Sequence, residues 1–174
     1  LVKRRCKYGV RWRVCMLKGN KIVLRPLQDS DLDLLMRIEN DKENWRFGSE
    51  KKEYSKQELT NYISNAKTVI KLAKQYRFVI DLNSVPIGFI DLFDYTLNSA
   101  GVGVIISKDY RNKGFAKEAL NLISDYAFKF LNLKEIHCSI QKDNLFSNQL
   151  FNSCGFVFLR EVKKLRYFIK LAKK

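Results

Sequence analysis

The sequence predicts a single α/β domain, a mixed sheet of about six to seven strands flanked by about four helices. Short β-branched runs bounded by turn residues alternate with segments whose apolar side chains recur at helical spacing. The chain has 174 residues, 46% of them hydrophobic and 13% aromatic, which suits one sizeable core. No apolar run is long enough to span a bilayer, so no membrane partner is expected.

In chain order, Ile22 and Leu24 open a first strand over 22–27, ended by Pro26 and the turn residues Asp29 and Ser30. Ser30 caps a helix whose inner face is Leu34, Leu35 and Ile38. Glu39, Asp41 and Glu43 then fall at and beyond its C-terminal end, where the helix dipole favours cations. Two readings stand: a solvated loop, or an acidic mouth for a cationic substrate. Trp45 and Phe47, in Asn44-Trp45-Arg46-Phe47-Gly48, offer ring faces to a cation or ordinary packing.

Ser55-Lys56-Gln57-Glu58 is a capping box, and Leu59, Tyr62, Ile63, Ala66, Ile70 and Ala73 continue at helical spacing, which predicts one helix over 55–74. Residues 76–82 and 87–93 form a hairpin around Asn83-Ser84-Val85-Pro86, with Asp91 and Asp94 near the end of its second strand. A β-branched strand over 102–106 contains Gly103, which marks a bulge or a close backbone approach. Ala116, Ala119, Leu120, Ile123, Ala127 and Phe130 form the apolar face of the next helix. A strand over 136–141 holds His137, read as a structural rather than a catalytic histidine. A short helix over 145–153 is stopped by Gly155, and strands over 156–162 and 167–171 close the fold.

The formal net charge of +15 raises a nucleic-acid reading. Its distribution weakens it. Lys3, Arg4, Arg5, Lys7, Arg11 and Arg13 crowd into residues 1–15 with no acid, and the aromatics follow apolar faces rather than interleaving with the basic residues. Residues 1–15 are expected to be a disordered basic arm or an upstream extension, with residues 16–174 forming the domain. A signal peptide is not expected, since an apolar h-region is missing. Cys6, Cys15, Cys138 and Cys154 lack metal spacing, and with His137 as the only histidine no metal site is expected. Free thiols fit a reducing cytoplasm.

The chemistry concentrates at Arg111-Asn112-Lys113-Gly114-Phe115-Ala116, where strand passes through loop into helix. The first turn of a helix presents unpaired N–H groups and partial positive charge, and Gly114 removes the side chain that would hold a phosphate away. Arg111 and Lys113 add two full charges. Such a junction suits a pyrophosphate, with the preceding strand edge free to hydrogen-bond an extended amide chain. Coenzyme A has both parts.

This segment resembles the R/Q-x-x-G-x-G/A signature of the GNAT family of N-acetyltransferases, with Ala116 at the final position. Residues 143–156, from Asp143-Asn144 through Ser147, Leu150 and Phe151 to Gly155-Phe156, resemble the family's second signature, N-x-x-S-x-x-L-Y/F-x-x-x-G-F. The resemblance spans residues 21–171 and is nearest to the polyamine and ribosomal-protein N-terminal acetyltransferases. It implies a GNAT-like, mostly antiparallel mixed sheet and acetyl-CoA as the co-substrate. It also implies that Val104, Ile105 and Ile106 offer backbone groups to the pantetheine arm and the carbonyl. Arg111, Asn112, Lys113, Gly114, Phe115 and Ala116 would hold the pyrophosphate, Asn144 would reach the pantetheine, and Ser147 the lower arm of the coenzyme.

Glu39, Glu43, Asp91 and Asp94 are the candidates for drawing in an ammonium group and accepting its proton, with Asp91 and Glu39 ranked first. Where many family members carry a tyrosine that protonates the departing thiolate, this chain has Phe151. The expected activity is N-acetyl transfer to a primary amine, a polyamine or diamine ahead of a protein N-terminus. Phe151 keeps a catalytically weak coenzyme-A-binding module as the alternative from another class. A homo-oligomer is left open.

Overall fold

The computed structural model describes residues 16–45, 51–66, 68 and 70–173. The basic segment 1–15, with Cys6 and Cys15, and the residues Arg46, Phe47 and Gly48 lie outside the described residues.

One eight-stranded sheet runs through the molecule. In chain order the elements are β1 (Leu17–Lys18), β2 (Val23–Pro26), α1 (Leu32–Glu39), α2 (Lys42–Trp45), α3 (Lys56–Asn65), α4 (Ile70–Ala73), β3 (Tyr76–Leu82), β4 (Val85–Phe93), β5 (Ser99–Ile106), α5 (Phe115–Lys129), β6 (Glu135–Gln141), α6 (Leu145–Ser153), β7 (Val157–Val162) and β8 (Leu165–Leu171). The spatial order is β1-β2-β3-β4-β5-β6-β8-β7, antiparallel throughout except for β5 beside β6. The mixed α/β fold is therefore as expected, with one strand more. That strand, β1, is held by α5: the Lys21 N–H donates to Glu118 Oε1 at 2.9 Å.

The pleat sends alternate side chains to two cores. On one face Ile90, Leu92, Val102 and Ile106 pack under Ala119, Leu120, Ile123 and Ala127 of α5. On the other, Val79 and Phe89 pack under Leu34, Leu35 and Ile38 of α1 and Leu59 and Ile63 of α3. Asn83 (φ 51) and Ser84 (φ 69) place both central residues of the β3–β4 turn in the left-handed region, the geometry that matches the twist of a two-residue hairpin.

Four expectations are corrected. The helix over 55–74 begins at the capping box, where Ser55 Oγ accepts the Glu58 N–H at 3.2 Å, but it stops at Ala66. The chain resumes helical form as the short α4, which begins at Ile70. α5 ends at Lys129, so Phe130 leaves the apolar face, 63% exposed and stacked on Tyr126. The segment after α1 forms a further turn of helix, α2, in place of a plain loop. Gly103 marks neither a bulge nor a close approach: the β4–β5 register is unbroken, and a Cβ there would meet only the Phe93 ring at 3.8 Å. The tight glycines are Gly88, where a Cβ would strike the Ile105 carbonyl oxygen, and Gly101, where it would strike the Phe93 ring.

Gly88→Ala should therefore destabilise the fold by about 1–3 kcal/mol, because backbone must move, whereas Gly103→Ala should stay within about 0.5 kcal/mol of wild type. Urea unfolding of the two variants checks the contrast.

Candidate active site

β5 and β6 pair at only three positions, Ser99 with Glu135, Ala100 with Ile136 and Gly101 with His137. Beyond Gly101, β5 continues to Ile106 bonded to β4 alone, and beyond His137, β6 continues to Gln141 bonded to β8 alone. The strands fork. Val104, Ile105 and Ile106 lie on the unpaired edge of β5, a template onto which another extended chain can add hydrogen bonds.

The chain leaves this edge through a 3-10 turn (Lys108–Tyr110) and reaches α5 through Asn112 (φ 60) and Gly114 (φ 86). Gly114 is the N-cap and supplies no side-chain bond. The first intrahelical bond runs from the Glu118 N–H to the Gly114 carbonyl at 3.1 Å, which leaves the N–H groups of Phe115, Ala116 and Lys117 without a helical partner. A Cβ on Gly114 would meet nothing within 4 Å, so the space above the turn is open. Open space over a helix N-terminus, joined to an unpaired strand edge, fits a pyrophosphate and an amide arm. The Phe115 side chain is buried in the core, so only its backbone serves the loop. Lys113 Nζ donates to the Asp109 carbonyl at 2.8 Å and lies over the Tyr110 ring. Arg111 Nε donates to the Ile106 carbonyl at 2.9 Å, and its NH2 donates to Asn44 Oδ1 at 3.0 Å.

On the far side of the fork, Asn144 caps α6 by accepting the Ser147 N–H on Oδ1 at 3.1 Å. Asn148 was absent from the sequence reading. Its Nδ2 donates to the Gln141 and Asn144 carbonyls at 3.1 and 2.7 Å, while its Oδ1 is the one buried side-chain acceptor without a partner among the described residues. The available signal was spacing: Asn148 falls three residues before Phe151, on the same buried face of a short helix. Phe151 is buried edge-on against Phe156, with ring centroids 4.9 Å apart.

The structure gathers Glu39 and Asp91 around a residue that sequence reasoning missed, Arg77. Its Nε and NH2 donate to the two Asp91 oxygens at 2.6 and 2.9 Å, and NH1 donates to Glu39 Oε1 at 2.5 Å. The rings of Tyr62 and Phe89 lie 5.2 and 5.5 Å from the guanidinium carbon. Burial opposes the charge on Arg77, but the carboxylates outweigh it and hold its pKa above the ordinary arginine value. Burial also pushes the Tyr62 hydroxyl up to about 12. The missed signal was a single arginine inside the apolar strand Tyr76–Leu82, where a charge needs a partner. The other acids lie apart. Glu43 and Asp41 hold Lys108 at 2.9 and 3.3 Å, and Asp94 is exposed beyond the opposite end of β4.

These contacts tie the acid-bearing segment to the loop before α5. α2 is clasped by Lys108 and Arg111, and Trp45 Nε1 donates to the Glu39 carbonyl at 2.6 Å, so α2 links the end of α1 to the loop before α5.

The model of the family described as acetyltransferase (GNAT) domain matches residues 21–157. The spermidine N(1)-acetyltransferase of Vibrio cholerae is 29% identical over 142 residues, covering 80% of this chain and 80% of that one. The crystal structure of spermidine N-acetyltransferase from Vibrio cholerae with CoA and spermine superposes with a TM-score of 0.78 at 25% identity, over 87% of this chain and 95% of that one. A ribosomal-protein alpha-N-acetyltransferase in complex with coenzyme A shares the fold, with a TM-score of 0.79 at 12% identity over 90% and 97% of the two chains.

The clasp gives a pH dependence whose sign is fixed. The Glu43 backbone N–H, joined by Lys108, holds the Asp41 carboxyl below its usual range against a desolvation penalty. Its contribution is complete above the ordinary value of about 4 and is lost as the pH falls through the lowered folded value. Hydrogen bonds that Lys108 donates to Glu43 and Asp41 raise its pKa, and its contribution is present below its ordinary value and lost as the pH climbs through the raised one. Hydrogen exchange at Asn44 and Trp45, corrected for intrinsic rates, should therefore quicken below about pH 4, and Lys108→Met should quicken it at neutral pH.

Proposed function

We propose, for a chain that belongs to the GNAT family of acetyltransferases, that the amine it acetylates is a polyamine or diamine. The chain is an acetyl-CoA-dependent N-acetyltransferase, and the acceptor is the finer question. One observation carries the reading: Glu39 and Asp91 around Arg77, and Asp41 and Glu43 around Lys108, leave a surplus of carboxylate on the α1 side of the fork. A surplus of negative charge beside the reacting edge attracts a polycation and costs a neutral or acidic acceptor.

The residues then divide the work. The edge at Val104, Ile105 and Ile106 adds the amide arm as if it were a further strand, and the turn from Arg111 to Ala116 holds the pyrophosphate. Bound there, the coenzyme supplies an acetyl group activated as a thioester. Asn144 orients the start of α6 and Ser147 its first turn, beside the lower arm. Glu39 and Asp91 hold the ammonium end of the acceptor in place, and proximity provides most of the rate. Phe151 has no hydroxyl to give, but a thiol titrating near 8.5 is already a fair leaving group.

A second reading, an acidic protein N-terminus, is favoured by one feature. Lys163 and Lys164, at the β7–β8 turn, line an open hollow of about 540 Å³ with Gln141, at the end of β6.

Two outcomes are expected. Across polyamines, aminoglycosides and peptides with free N-termini, kcat/KM should be highest for a polyamine and should fall with added salt; a flat panel, or a preference for acidic peptides, favours the second reading. Gly114→Glu should lose measurable acetyl-CoA binding in calorimetry while costing only about 1 kcal/mol of stability, since a side chain is strained at φ 86 but meets no neighbour.

A further inference from the structure

We propose that His137 takes the proton from the acceptor's ammonium group. It is the only imidazole in the chain, and it stands on β6 at the last pair before the fork, opposite Gly101. The inference rests on the amine entering on the α1 face of the sheet, where His137 lies edge-on to Phe93 with ring centroids 6.4 Å apart.

The setting separates this histidine from the carboxylates. Both oxygens of Asp91 and one of Glu39 are committed to Arg77, so these acids are built to hold charge. Among the described residues no hydrogen bond or ion pair engages the His137 ring, and the residue is half-buried rather than sealed. An imidazole free of fixed partners is the side chain suited to moving a proton near neutrality.

Position supports the role. β5 itself adds no side chain to this face at Gly101 and Gly103; the Phe93 ring of β4 lies over Gly101 and its edge reaches Gly103, so that ring is what borders His137 on the side of the reacting edge. Val104 lies three residues past Gly101, about 10 Å along the strand, and Gly103 about 7 Å, so a proton route to His137 passes along the edge of the Phe93 ring through the amine and one water. The ionisable groups that share His137's face by strand alternation are Glu135 on β6, Tyr167 on β8 and Asp91 on β4, the last paired with Arg77; Cys138, Arg166 and Lys170 alternate to the other face, and Asp94 follows the end of β4.

The proton step balances. One N–H bond of the ammonium breaks and its proton joins an imidazole nitrogen, leaving a neutral amine with a lone pair and an imidazolium. Acetyl transfer consumes the amine, its second proton leaves with the coenzyme's sulfur, and the imidazolium returns its proton to water.

The test is the pH dependence of kcat/KM for wild type and His137→Gln with the best amine from the panel. Wild type should level off at a lower pH than the variant does. His137→Gln should be about 10²-fold slower at pH 7 and keep rising as the amine itself deprotonates, so that the deficit closes toward about pH 10. Coenzyme affinity and the amine's KM should change little, which a merely structural role would not produce. An unchanged rate and profile in the variant overturns the proposal. Absence of turnover with every amine overturns the acceptor reading instead, and the histidine is then judged on binding alone. With one histidine in a tag-free chain, its imidazole resonance can be followed by NMR without any variant: it should move when amine is added to the coenzyme-bound protein, and a resonance indifferent to amine overturns the proposal even if His137→Gln fails to fold.

Discussion

The parallel pairing of β5 with β6 ends after three residue pairs, and most of what the protein can do depends on that ending. A strand with one bonded edge and one open edge inside a sheet is an unfinished structure, because backbone N–H and C=O groups demand partners. The opening persists because each strand is secured on its other side, β5 by β4 and β6 by β8. α5 begins just past the end of β5, so the unfinished edge and the anion-binding helix terminus share one mouth. An extended amide chain ending in phosphates is what completes both.

Arg77 supports the acceptor side in the same way. A guanidinium held between two aromatic rings is costly unless its donors are satisfied, and Asp91 and Glu39 satisfy it. The arrangement fixes two carboxylates from distant parts of the chain on one face of the sheet. The clasp from α2 to Lys108 and Arg111 joins the loop before α5 to the acid-bearing helix through Asn44 and Glu43.

Much of this was legible in the sequence where the signal is local. A capping box at Ser55, an open turn at Gly114, a hairpin around residues 83–86 and an apolar helical face each follow from a few neighbouring residues, although the hairpin turn proved two residues long rather than four. What was not legible depends on pairing across the chain. Gly103 and Gly101 look alike in a β-branched run, and only the register against Phe93 shows which one is tight. Glu39 and Asp91 were visible as acids, yet the cation between them lies on a third strand, so their meeting could not be read from spacing. His137 appeared as one residue of an ordinary strand because the fork exists only once β5 is placed beside it.

The central claim, that the β5 edge at the fork receives the coenzyme as an added strand, is tested most directly by amide hydrogen exchange with and without acetyl-CoA. Exchange should slow within Val102–Ile106 and at Phe115 to Lys117, with little change in β3, whose amides are already paired on both sides. Tight coenzyme binding that leaves the 102–106 amides exchanging at their free rate would contradict the account.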